Sequence, residues 1–139
     1  MIARAAAAVG IAVMAAAAPG GGGALQRHRL NLPTPPLPHD LTVDESEWQI
    51  IPSERMVAAG TVTMEVYDRG QDEHNLTVQG PITASGDGTI RGQVWLQSGA
   101  STTLTAKLAP GRYKLYCSMF AGTPQSHEAM GMLSSITVR

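Results

Sequence analysis

The chain has 139 residues, with one Cys, four His, seven Met, six aromatic residues and a formal charge of −1. That is one domain's worth of chain, long enough to bury a core unaided. A single cysteine excludes an internal disulfide framework, a four-cysteine zinc site and an iron–sulfur cluster held by four thiolates of this chain. The near-neutral charge, with Lys and Arg scattered, leaves no electrostatic footprint for nucleic acid.

In chain order, Arg4 precedes a run of small apolar residues from Ala5 to Ala18, broken only by Gly10. This is the form of a secretory signal peptide. It is short of the about 20 apolar residues that a membrane span requires. Residues 1–24 are therefore expected to be a signal peptide that directs export to the periplasm or another extracytoplasmic space. If uncleaved, it would tether the protein to a membrane. Residues 25–40 turn Pro-rich, with Pro33, Pro35, Pro36 and Pro38, a composition that favours an extended linker over a packed element. His28 and His39 fall in this linker without other ligand types beside them and read as solvated polar residues.

From Leu41 to Arg139 the pattern becomes one of short alternating runs. Val62, Met64 and Val66 share one parity, Thr61, Thr63 and Glu65 the other, the period of a half-buried strand. The same period recurs at Leu76 and Val78, at Val94 and Leu96, at Leu104, Ala106 and Leu108, and at Ile136 and Val138. Asp68-Arg69-Gly70, Gly80-Pro81, Ser85 to Gly88, Ser98-Gly99 and Pro110-Gly111 supply turns between them. About seven strands at this spacing predict an all-β antiparallel sandwich or barrel, with no helix of ten residues. Ala109-Pro110-Gly111-Arg112-Tyr113 has the form of a tyrosine corner, in which the Tyr hydroxyl bonds to nearby backbone. In the strand that follows, Tyr113, Leu115 and Cys117 face inward, and Arg112, Lys114 and Tyr116 face outward as a solvated face.

Taken alone, Cys117 would be a small buried hydrophobe. Downstream, however, stand His127, Met130 and Met132, and upstream Asp72-Glu73-His74-Asn75 places a histidine at the start of an apolar strand. A thiolate, two imidazoles and a thioether are the donors of a trigonal His₂Cys copper site with a weak axial Met. The Asp-x-His-Asn run at His74, the Pro-Gly-x-Tyr-x-x-x-Cys run ending at Cys117 and the His-x-x-x-x-Met run from His127 to Met132 carry a resemblance to the cupredoxins. These are the type 1 blue copper proteins of the plastocyanin and pseudoazurin style, and the resemblance spans residues 41–139.

The resemblance implies a Greek-key β-sandwich of about seven to eight strands holding one copper. It implies His74, Cys117 and His127 as strong ligands and Met132 as the axial ligand, with Met130 the alternative. Asn75 would support the site by hydrogen bonding near the sulfur. The nine residues between Cys117 and His127 make a longer loop than in the smallest members, with a turn suggested at Gly122 and Pro124. Cys117 is flanked by Tyr116 and Ser118 rather than by a histidine for a second copper, and only His74 and His127 follow the linker. The expectation is a monomeric relay of single electrons between redox proteins, such as a cytochrome or a membrane-bound oxidoreductase, and not an enzyme. The exposed edge of His127, with Met119, Phe120 and Met130 around it, would be where electrons cross. A copper carrier or storage protein and a copper-free binding module are the alternatives.

Overall fold

The computed structural model describes residues 36–139; the expected signal peptide, most of the linker and His28 lie outside the described residues. Among the described residues nine strands form two sheets. One sheet has the order β2-β1-β4-β7 and contains β1 (Asp40–Ser46), β2 (Gln49–Pro52), β4 (Gly60–Asp68) and β7 (Ser101–Leu108). The other has the order β3-β9-β8-β5-β6 and contains β3 (Met56–Val57), β5 (His74–Gly80), β6 (Thr89–Leu96), β8 (Gly111–Tyr116) and β9 (Leu133–Val138). Among the described residues one helical turn, α1 (His127–Met130), interrupts the strands. The pairing is not wholly antiparallel, because β1 runs parallel to β4 and β3 parallel to β9.

The alternation read from the sequence is the alternation that is buried. Val62, Met64 and Val66 of β4 are fully buried, and β7 pairs with them through Leu104 and Ala106. Leu76 and Val78 of β5, Tyr113 and Leu115 of β8, and Ile136 and Val138 of β9 meet them across the sandwich in one apolar core. Each such side chain removed from water contributes about 1.5–3 kcal/mol before entropy is counted. Strands β1 to β3 had no clear alternation to announce them. In β1 the inward positions Leu41 and Val43 are followed by Glu45, which is completely buried.

The corner before β8 is built as expected, with the Tyr113 hydroxyl donating to the Ala109 carbonyl at 3.0 Å and the ring fully buried. Tyr113→Phe is expected to keep the fold and cost about 1 kcal/mol, the net value of one such bond. Urea unfolding should show a lower midpoint at an unchanged slope.

Strand directions bring distant residues to one end of the sandwich. Because β5 is antiparallel to β8, with Thr77 opposite Tyr116, the start of β5 lies beside the end of β8. Because β8 is antiparallel to β9, with Tyr116 opposite Leu133, the start of β9 lies there too. The parallel β1 and β4 both finish at this level, with Glu45 opposite Asp68.

Candidate metal centre

At this end His74, Cys117 and His127 converge, all buried, with one ligand atom from each lying within 4.8 Å of the others. The Nδ1 atoms of the two imidazoles are 3.3 Å apart, and Cys117 Sγ is 3.4 Å from His127 Nδ1. Three donors that normally seek water or protons thus point at one another inside the protein. Such an arrangement is costly as bare polar atoms but natural around a cation. Burial pushes the Cys117 thiol up, while burial, together with the charge of His74, lowers His127. Binding a metal would therefore release the thiol proton, as thiolate ligation requires.

The supports of each ligand can be followed residue by residue. The backbone N–H of Asn75 donates to Cys117 Sγ at 3.4 Å. Asn75 Oδ1 accepts from the Ser118 N–H at 2.8 Å and from the Ser118 hydroxyl at 3.2 Å, tying the strand that carries His74 to the residue after Cys117. Met132 is fully buried; its carbonyl accepts from Cys117 N–H and its own N–H donates to the His127 carbonyl. Met130, by contrast, is 38% exposed at the end of α1. Met132 therefore lies within the backbone frame of Cys117 and His127, and Met130 at the surface. His39 is exposed and stands outside the cluster.

The nine-residue loop is a chain of turns. Ala121 N–H donates to Ser118, Thr123 to Phe120, Ser126 to Thr123, and His127 to Met119, the last bond closing the loop onto the cluster. Gly122, with φ of 79°, takes the left-handed conformation that glycine permits within it. Ser126 caps α1 by accepting from Ala129 N–H, so His127 opens a helical turn.

Two expectations need correction. His127 is only 4% exposed, at a shallow pocket that it lines with Asp72, Glu73, Met119 and Phe120, because the Trp48 ring packs T-shaped against it at 4.9 Å and Phe120 lies at 5.4 Å. The apolar side chains packed on it are the exposed Phe120 and Trp48, while Met130 is exposed at the end of α1 and Met119 is buried. Trp48 sits 79 positions before His127 and carried no sequence signal of this role. The outward face of β8 is likewise not simply solvated. Lys114 is paired with Asp87 at 2.8 Å and Glu128 at 3.2 Å, and it lies over the Tyr116 ring, which is nearly buried.

A pair of buried acids was also missed. Glu45 and Asp68 occupy the last inward positions of β1 and β4, beside the metal-binding end. Neither Glu45 oxygen has a hydrogen-bond partner, and burial above all, with Asp68 adding to it, pushes its carboxyl up to about 8. Asp68 accepts from Gly70 N–H through Oδ1, while Oδ2 is unpartnered and burial raises its carboxyl as well. The signal was present as an acidic residue on the apolar parity of each run.

No protein-family model matches the chain, and no curated protein matches it in sequence. Solved structures do match. Auracyanin from Roseiflexus castenholzii in its dithionite-reduced form is 22% identical with a TM-score of 0.59, the match covering 74% of this chain and 98% of that one. Auracyanin A, a "blue" copper protein from Chloroflexus aurantiacus, is 17% identical with a TM-score of 0.51, covering 72% of this chain and 99% of that one. The fold is the cupredoxin β-sandwich that the sequence resemblance implied.

Proposed function

We propose that the chain is an exported type 1 copper protein that relays single electrons between redox partners. The observation that carries this reading is the buried convergence of two imidazole Nδ1 atoms and one thiol at the end of a cupredoxin sandwich. In this reading His74, Cys117 and His127 are the strong ligands and Met132 the axial one. The soft sulfur donors suit Cu(I), the imidazoles suit both oxidation states, and the bound copper would supply one-electron chemistry. The likeness in fold to a "blue" copper protein adds support.

The chain's own residues then set the conditions for transfer. Strands β5 and β8 hold His74 and Cys117 through the Asn75 bonds, so little needs to move when charge changes. Trp48 and Phe120 cover most of the His127 ring, and electrons would cross at the apolar face that they form with Met130. The partner would be a redox protein that docks on this face, a cytochrome or a membrane-bound oxidoreductase, with the protein itself monomeric. Export rests on the signal-like residues 1–24.

The test is optical and electrochemical. Protein loaded with Cu(II) is expected to show intense visible thiolate-to-copper charge transfer, narrow copper hyperfine splitting and a reversible one-electron wave. A colourless Cu(II) complex would overturn the copper assignment. Colour without a reversible wave would overturn the relay in favour of a carrier.

A further inference from the structure

The two-residue turn between β1 and β2, Glu47-Trp48, reaches both imidazoles from outside the cluster. Trp48 packs against His127, and its carbonyl oxygen lies where a Cβ on Gly131 would stand 2.8 Å from it. Glu47 goes to the other ligand. Its Oε1 accepts from the backbone N–H of Gln71 at 2.7 Å and of Asp72 at 2.8 Å, and lies 3.4 Å from His74 Nε2. Those two backbone bonds fix the Glu47 carboxylate at the opening of the loop that leads into His74. Gly70 completes the arrangement: a Cβ there would lie 2.6 Å from Glu47 Oε1 and 2.8 Å from His74 Nε2. Only a residue without a side chain lets the loop run beside both groups.

The two nitrogens of His74 therefore have different neighbours. Nδ1 faces His127 inside the cluster. Nε2 is buried and makes no hydrogen bond among the described residues, and the Glu47 carboxylate stands 3.4 Å from it, at charge-pair distance. An imidazole that gives Nδ1 to a metal keeps its proton on Nε2. A carboxylate facing that proton fixes the tautomer and makes the ring a better donor.

We infer that Glu47 is a positioning residue for His74, holding its imidazole as the Nε2–H tautomer and strengthening it as a ligand toward Cu(II) more than toward Cu(I). This rests on the copper reading proposed above. Loss of such a partner typically lowers metal affinity about 10–100-fold.

Glu47→Gln is the variant to make, because the amide oxygen can still accept from Gln71 and Asp72 while the charge facing His74 is gone. Cu(II) binding is expected to weaken about tenfold with Cu(I) affinity unchanged, equivalent to a reduction potential higher by about 59 mV. Asp44→Asn removes one charge from the same hairpin at the exposed pair with Arg69 and is expected to leave both quantities close to wild type. An unchanged potential in Glu47→Gln, or an equal shift in Asp44→Asn, overturns the assignment. Imidazole nitrogen NMR of the metal-free protein separates this from the copper reading. His74 is expected as the Nε2–H tautomer in the wild type, with that signal displaced in Glu47→Gln even if Cu(II) gives no colour. An Nδ1–H tautomer in the wild type, or a signal unmoved by Glu47→Gln, overturns the clamp.

Discussion

Cys117→Ser is expected to remove the visible charge-transfer absorption of the Cu(II) protein completely and to broaden its copper hyperfine splitting to that of an ordinary Cu(II) complex. The absorption needs a thiolate donor, and the chain has no second cysteine to supply one. The loss of Cu(II) affinity should exceed the roughly 10–100-fold that follows removal of a supporting hydrogen bond, because a ligand itself is removed. The fold should persist. Cys117 is completely buried, but its backbone bond to Met132 is untouched, and the Asn75 N–H that reaches the sulfur can reach a hydroxyl oxygen. Circular dichroism and a urea midpoint near wild type, together with a colourless Cu(II) titration, are the expected combination. Retained colour would place the thiolate–copper bond elsewhere and defeat the site.

The second large effect concerns stability and pH. The carboxyl of Glu45 stands at about 8 in the folded chain against an ordinary 4.5. The folded state therefore binds more protons than the unfolded state between those values, and stability must fall as pH rises. Its contribution is fully present below about pH 4.5 and is lost through pH 8. At about 1.36 kcal/mol for each pH unit that separates the two values, the total is on the order of 4–5 kcal/mol. Other shifted groups modify this in known directions. Asp68, also raised by burial, acts in the same sense, and Cys117 is raised from a higher starting value. His127, which burial lowers, acts oppositely below its ordinary 6.5. Glu45→Gln cannot ionise, so its stability should change far less over this range. Urea unfolding of the metal-free protein from pH 5 to 9 should show the two curves crossing, the variant being the more stable at pH 9. Parallel curves would mean that Glu45 is ionised in the fold.

How far the sequence carried depended on whether the deciding contact was local. The apolar parity of Val62-Met64-Val66 and of Tyr113-Leu115 needed no partner to be read, and those residues form the core. The His, Cys, His, Met order was legible because the unusual donor types are few and the strands between them are regular. Strand β1 was not legible, because Glu45 stands where the alternation calls for an apolar residue. Asp68 was read as the start of a turn, which it is through its bond to Gly70 N–H; its second oxygen faces inward because β4 runs beside β1, a pairing that no local pattern encodes. The near-burial of His127 was not legible for the same reason. Phe120 lies in the same loop as His127, but Trp48 arrives from another sheet, and burial by a remote residue leaves no trace near the residue it covers.

The antiparallel register of β5 against β8 has a consequence for how the molecule is made. The donors flanking the cluster are 43 positions apart at His74 and Cys117 and 53 apart at His74 and His127. A nascent or partly folded chain therefore holds the last three candidate ligands, Cys117, His127 and Met132, close in sequence but lacks the fourth until the long-range strand pairing is complete. Such pairings close late, because loop entropy opposes them until many contacts form together. A complete donor set is thus a property of the finished sandwich alone, and metal that requires all four donors would stabilise that state over every intermediate on the way to it.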